Sequence, residues 1–86
     1  MPTNEDALFE YTLPGSGVRL YGNRIEHWHR GLFGTKREAI PLRNVARVEK
    51  GISGKVTVYT NDGHKYVLVA GMQADTLRDA ILAALP

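Results

Sequence analysis

The chain contains no cysteine and no long apolar run. Without cysteine it can form neither a disulfide framework nor a zinc site with thiolate ligands. No segment approaches the roughly 18 apolar residues that a membrane-spanning helix needs. The first six residues, Met1–Asp6, are acidic rather than apolar, so we expect no secretory signal peptide there. These absences predict a cytoplasmic protein, either free in solution or peripheral to a membrane.

The sequence also lacks a recognisable catalytic constellation. Ser16 and Ser53 lie in glycine-rich turns, and neither has a base and an acid at a spacing that indicates a nucleophile. The glutamates are scattered, so no carboxylate pair is marked out for acid–base catalysis. The segment from Gly31 to Lys36 does not fit the phosphate-binding loop G-x-x-x-x-G-K-[ST]. We therefore expect a protein without enzymatic activity and without a cofactor.

Charged residues are unevenly distributed along the 86 residues, although the net charge is only +2. Residues 1–14 carry a formal charge of −3, residues 15–72 carry +6 and the remainder carries −1. A basic surface attracts anionic lipid or nucleic acid. The same charges also fit a solvated sheet whose basic edge residues prevent aggregation. The length predicts one domain, residues 7–86, after a disordered tail, residues 1–6.

Apolar residues alternate over seven short segments, with turn residues every eight to twelve positions. This spacing is typical of an all-β sandwich or barrel. The predicted strands are Leu8–Leu13, Val18–Tyr21, Arg24–Arg30, Lys36–Leu42, Val45–Lys50, Lys55–Thr60 and Lys65–Ala70. A helix is predicted over Gln73–Leu85, where one apolar stripe contains Leu77, Ala80, Ile81, Ala84 and Leu85. We expect this stripe to close the open end of the sheet, because an isolated helix this short is marginal in water.

Turn chemistry and alternation indicate how the strands connect and face. Asn61-Asp62-Gly63 is the strongest hairpin signal, and Gly22-Asn23 predicts a second tight turn. Ile40 and Leu42 are expected to point inward, which places Pro41 at an edge, a bulge or a strand end. The last strand is apolar on both faces, so we expect one face inside and the other near the helix. The predicted fold is mainly β: a seven-stranded antiparallel bent sheet or partly open barrel, capped by one C-terminal α-helix.

This order of elements resembles the pleckstrin-homology-like fold, and the residues resemble its small bacterial members. The similar positions are Arg24-Ile25, Gly31, Ile40-Pro41-Leu42, Val45, Val48, Val56, Val58, Asp62-Gly63, Tyr66, Leu68, Ala74, Asp75, Leu77 and Ile81. The resemblance implies a non-catalytic binding module, and homo-oligomers occur among the bacterial members. Phosphoinositide readers of this group carry a lysine in the first loop and Lys/Arg-x-Arg on the second strand. Here the first loop, Pro14-Gly15-Ser16-Gly17, has no lysine, and the second strand offers only Arg19.

His27-Trp28-His29 is the one cluster with metal-binding chemistry. On a strand, His27 and His29 share a face at roughly 7 Å, and two imidazoles can begin a zinc or copper site. No further ligand is indicated, so the two histidines are weak candidates and no metal is expected. If Ile25 faces inward, Trp28 faces outward as an exposed anchor. A bulge after His27 would reverse this, and we expect such a bulge or partial burial of Trp28.

The segment Arg30–Arg37 is the strongest candidate for a binding loop. Arg30, Lys36 and Arg37 flank an apolar tip formed by Leu32 and Phe33. Peripheral membrane proteins use such an arrangement, in which cations meet anionic headgroups while the tip inserts. A protein partner could use the same anchor. Alternatively, the tip folds back onto the core.

These patterns predict an interaction module whose candidate binding residues are Arg30, Leu32, Phe33, Lys36, Arg37 and Trp28. Protein–protein binding, including self-association into a homo-oligomer, is the first hypothesis. Binding to an anionic membrane surface through residues 30–37 is the second. Nucleic-acid binding is the third, because aromatic side chains such as Trp28 could stack on bases.

Overall fold

The computed structural model describes residues 6–86, so the predicted N-terminal tail lies almost entirely outside the described residues. Seven strands are followed by one α-helix, as the alternation predicts. The strands are β1 (Phe9–Leu13), β2 (Ser16–Leu20), β3 (Arg24–Gly31), β4 (Gly34–Pro41), β5 (Val45–Lys50), β6 (Lys55–Thr60) and β7 (Lys65–Val69). The helix α1 spans Ala74–Ala84. The predicted mainly-β fold with a C-terminal helix is therefore confirmed.

The strands form two antiparallel sheets rather than one continuous sheet. Sheet A has the order β1-β2-β3-β4, and sheet B has the order β5-β6-β7. A short 3₁₀ helix, Leu42–Asn44, connects them directly after Pro41. Pro41 is the last residue of β4, so the prediction that it lies at a strand end is confirmed. Because β4 is an edge strand, the N–H that proline lacks is not needed for a hydrogen bond between strands.

The core lies between the inner faces of the two sheets and α1. Its buried hydrophobic residues are Val18, Leu20, Ile25, Ile40, Leu42, Val56, Val58, Leu68, Ala70, Ala74, Leu77 and Ile81. The helix stripe is confirmed as core, since Leu77 and Ile81 are fully buried. We expected the second apolar face of β7 to lie near the helix, and this prediction is wrong. Val67 and Val69 are 47% and 43% exposed, because α1 packs mainly on β5 and β6.

The hairpin predicted at Asn61-Asp62-Gly63 is confirmed between β6 and β7. Gly63 has a φ of 86°, and the Thr60 N–H donates to the His64 carbonyl at 3.0 Å. The Asp62 carboxylate accepts from the Thr60 hydroxyl and, at 3.4 Å, from the His64 N–H. The Thr60 hydroxyl is the main cause that lowers the pKa of Asp62. The carboxylate thus holds the turn together.

Candidate functional site

The candidate site begins with the hairpin between β3 and β4, which is longer than the sequence indicates. Residues 30–37 are not an extended loop, because β3 continues to Gly31 and β4 begins at Gly34. Gly31 and Gly34 are paired, and only Leu32 and Phe33 lie in the turn. The chain reverses direction just before Gly34, whose φ of 121° is one that other residues rarely adopt.

The tip of this hairpin is fully solvent-exposed. Leu32 is 94% exposed and Phe33 is 99% exposed. The alternative in which the tip folds back onto the core is therefore wrong. Two large apolar side chains at the end of a paired strand ribbon have no partner within residues 6–86.

The strand register divides the three flanking cations between the two faces of the hairpin. Arg30 pairs with Thr35, and Arg37 pairs with Trp28, so these four share the outer face of sheet A. Lys36 pairs with His29 on the inner face, and its Nζ lies 3.8 Å from a carboxylate oxygen of Glu38. The cations therefore do not form one ring around the tip.

Trp28 lies on the outer face and is partly buried. No bulge follows His27, since β3 pairs residue by residue with β2 and β4. The expectation of a bulge is wrong, and its alternative, partial burial, is confirmed. Trp28 is partly buried without a bulge because it covers Gly17, its cross-strand neighbour. A Cβ atom at Gly17 would lie 2.2 Å from the Trp28 ring.

Two arginines flank the Trp28 ring on neighbouring strands. The Arg19 Cζ lies 5.2 Å and the Arg37 Cζ 5.7 Å from the ring centroid, within cation–π range. Arg19 also forms an ion pair with Glu10, whose carboxylate raises the pKa of Arg19. Arg37 forms no ion pair within residues 6–86. The two arginines on this indole therefore differ in their capacity to bind an external anion.

Most other arginines are neutralised by carboxylates. Arg24 pairs with Glu26, Arg47 with Glu49 at 3.3 Å, and Arg78 with Asp79 at 3.2 Å. Arg30, Arg37 and Arg43 have no carboxylate within ion-pair distance among the described residues. Arg43 lies in the 3₁₀ helix that connects the sheets. Of these three arginines, only Arg30 and Arg37 lie on adjacent strands and on the same face of the sheet.

The two histidines of β3 share the inner face of sheet A, where His27 is partly buried and His29 is exposed. His27 follows Ile25 on the inner face and meets Tyr66 edge to face, with the ring centroids 5.8 Å apart. His64 meets the same Tyr66 ring at 6.3 Å, a proximity that the sequence does not indicate. Within the part of the chain that the structure describes, no group of three or more side chains of His, Cys, Asp or Glu could hold a metal.

Burial dominates the protonation of His27. Its Nε2 atom is buried and has no hydrogen-bond partner among the described residues. Burial lowers the pKa of His27, although the carboxylate of Glu38, its cross-strand partner, acts in the opposite direction. A neutral imidazole between the sheets is therefore the favoured state near pH 7.

A groove on sheet B forms a second exposed apolar surface that sequence reasoning missed. Ile52 in the β5–β6 turn is 88% exposed, and Met72 between β7 and α1 is 100% exposed. Both line an open groove of about 420 Å³ whose rim includes the ion pair of Lys50 with Asp75. A lone apolar residue inside each glycine-containing turn was the only signal available in the sequence.

The surface aromatic rings do not form one stacking platform. Arg24 lies over Tyr21 at 4.0 Å, and Arg47 lies over Tyr59 at 4.2 Å. Tyr59 belongs to sheet B, whereas Trp28 belongs to sheet A. Each of these rings also contacts an arginine side chain.

Comparison with known proteins identifies no relative of this chain. No protein family, curated protein or solved structure matches the chain. The resemblance to the pleckstrin-homology-like family therefore stays a prediction. Among residues 6–86, no helix has the length and apolar character needed to cross a membrane.

Proposed function

We propose that this protein is a non-catalytic interaction module that binds an anionic membrane surface through the β3–β4 hairpin. The observation that carries the proposal is the exposed tip, Leu32 and Phe33, at 94% and 99%. Apolar side chains held at the end of a ribbon can enter the lipid without any rearrangement of the core. The adjacent cations Arg30 and Arg37 then face the anionic headgroups.

The size of the tip favours a membrane over a protein as its partner. Burying a Leu or Phe side chain contributes about 1.5–3 kcal/mol, and each cation near an anionic surface contributes about 1 kcal/mol. These contributions suffice for reversible attachment to a membrane. A stable protein interface requires about 800 Å² per partner, which two side chains do not supply.

Flotation with vesicles of phosphatidylcholine and phosphatidylserine tests the proposal. Wild-type protein should float with the vesicles at low salt and dissociate at high salt, because screening weakens the attraction of exposed cations. The double variant Leu32→Ser/Phe33→Ser should bind at least about tenfold more weakly, since it retains every charge but loses the apolar contribution.

The matched control is Ile52→Ser/Met72→Ser, which removes two equally exposed apolar side chains from the groove on sheet B. This variant should float like the wild type. Absence of flotation at either salt, or equal losses in both double variants, would contradict the proposal.

Self-association is the second candidate function, and the groove between Ile52 and Met72 favours it. Unlike the hairpin tip, the groove is a concave surface lined by nine residues, so a protein partner could contact more than its two exposed apolar side chains. A second copy of the chain could cover them and so form a homo-oligomer. Nucleic-acid binding is third, because Trp28 and Tyr59 lie on separate sheets and do not form one stacking surface for successive bases.

Sedimentation over a concentration series tests self-association. The wild type should sediment faster as its concentration rises, and Ile52→Ser/Met72→Ser should remain monomeric throughout. The hairpin variant Leu32→Ser/Phe33→Ser should still associate. A wild-type protein that is monomeric at millimolar concentration would exclude this second candidate.

A further inference from the structure

We propose that Arg30, Thr35 and Arg37 form a binding site for a phosphate group on the outer face of sheet A. The site takes a phosphomonoester such as the headgroup of phosphatidic acid. The assignment of this phosphate to a lipid rests on the proposed membrane function. The site adds which headgroup chemistry the protein recognises.

The strand register brings the three side chains together. Arg30 and Thr35 are direct cross-strand partners, and Arg37 is the diagonal neighbour of Arg30 on β4. Diagonal neighbours on one face lie about 7–8 Å apart, within reach of long side chains. Two guanidinium groups and one hydroxyl group thus lie on the same face and can converge on one tetrahedral anion.

The charge pattern leaves these two arginines free to bind an anion. Arg19, Arg24, Arg47 and Arg78 each contact a carboxylate. Neither Arg30 nor Arg37 does so within residues 6–86. The planar fork of a guanidinium group matches two phosphate oxygens, so an arginine without a carboxylate partner is suited to bidentate binding.

Trp28 positions Arg37 for this contact. The Arg37 guanidinium lies over the indole at 5.7 Å, so the ring restricts its motion. The Arg37 side chain forms no ion pair with another residue among residues 6–86, so its N–H groups remain available to an anion. Arg19 lies over the same ring but is paired with Glu10, which makes it a natural internal control.

The position of the site agrees with insertion of the tip. Arg30 precedes Leu32 by two residues, which is about 7 Å along an extended strand. When Leu32 and Phe33 enter the acyl region, Arg30 and Thr35 lie at the depth of the headgroup phosphates. The apolar tip and the phosphate site would therefore engage the same lipid surface together.

The test compares two vesicle preparations of equal surface charge. One contains phosphatidic acid in phosphatidylcholine, and the other contains a fatty acid that supplies carboxylate charge in the same host lipid. Wild-type protein should bind the phosphatidic acid vesicles about tenfold more tightly, the difference expected from one lost charge-assisted pair of hydrogen bonds. Equal binding to both would overturn the phosphate site and leave the proposed membrane function standing.

Substitutions that conserve charge separate recognition from attraction. Arg37→Lys and Arg30→Lys keep the charge but lose the fork, so each should weaken binding to phosphatidic acid vesicles by about tenfold. Arg19→Lys should change nothing, because the Arg19 guanidinium is already occupied by Glu10. Lys36→Gln, on the opposite face, should weaken binding to both vesicle types alike. Wild-type affinity in Arg37→Lys would overturn the proposal.

Titration with soluble glycerol phosphate distinguishes a lipid from a free ligand. Addition should shift the NMR signal of the Trp28 indole N–H in the wild type but not in Arg37→Lys. If this shift occurs while no vesicle is bound, the phosphate site stands and the proposed membrane function fails. If neither vesicles nor glycerol phosphate bind, both are overturned.

Discussion

At the scale of single residues, the contact between Gly17 and Trp28 determines the outer face of sheet A. A large ring on one strand covers the backbone of a glycine on the next, which shields that backbone from water. The ring then serves as the surface on which Arg19 and Arg37 lie. Glycine is required at position 17 because any Cβ would occupy the space of the indole.

Gly17→Ala should therefore displace Trp28 without unfolding the sheet. The Cβ atom would meet the ring at 2.2 Å, so the indole must swing into water and lose its contacts with Arg19 and Arg37. We expect the tryptophan fluorescence to shift to longer wavelength. The matched control is Gly31→Ala, whose Cβ meets only a backbone oxygen at 3.6 Å. An unchanged emission spectrum in Gly17→Ala would contradict the observed packing.

At the scale of elements, the junction between the β5–β6 turn and the segment before α1 depends on a close approach of two backbones. The Ala70 N–H donates to the Gly54 carbonyl at 2.9 Å. A Cβ at Gly54 would lie 2.6 Å from the Gly71 Cα atom, and both glycines have positive φ. This contact fixes the start of α1 against sheet B and shapes the groove between Ile52 and Met72.

Gly54→Ala should destabilise the protein more than Gly63→Ala. Both positions have a left-handed φ, of 75° and 86°, so each substitution carries the backbone cost of about 1–2 kcal/mol. Only Gly54 adds a clash with rigid backbone, since a Cβ at Gly63 meets nothing within 4 Å. Urea unfolding of both variants measures the difference. Equal losses of unfolding free energy would show that the junction adjusts at no cost.

At the scale of the whole molecule, stability depends on how the two sheets share one core. His27 is the titratable group with a buried unpartnered nitrogen at this interface, within residues 6–86. His29 flanks it on β3, Glu38 and Lys36 face it from β4, and Tyr66 meets it from sheet B. A charge on His27 would have to be buried between the sheets with only Glu38 to compensate it.

The free energy of unfolding should therefore fall as the pH drops below about 6.5. Because the pKa of His27 is lowered in the folded state, the unfolded chain binds the proton first, and acid shifts the equilibrium toward unfolding. Urea unfolding at pH 7.5 and 5.0 measures the loss. His27→Gln should show a smaller loss over this range. Asp62 does not interfere, since its lowered pKa places its effect below pH 3.8.

The strands, the main turn and the helix could be predicted from local sequence patterns. Strict alternation along β6, the Asp62-Gly63 turn and the apolar stripe of α1 are local patterns, and each one predicts its element without knowledge of the rest of the chain. The composition of residues 30–37 likewise identified the cations and the apolar tip. Such features follow from residues close together in the chain, so short-range reasoning suffices.

Which side chains meet could not be predicted from the sequence, because that depends on how distant segments pack together. Three features depend on contacts between separate segments of the chain. They are the division into two sheets, the packing of Trp28 over Gly17, and the position of Tyr66 between His27 and His64. The same register placed Arg30 and Arg37 on one face and Lys36 on the other, because a strand directs successive side chains to opposite sides. Composition counts these charges equally, whereas pairing between strands determines which of them can act together.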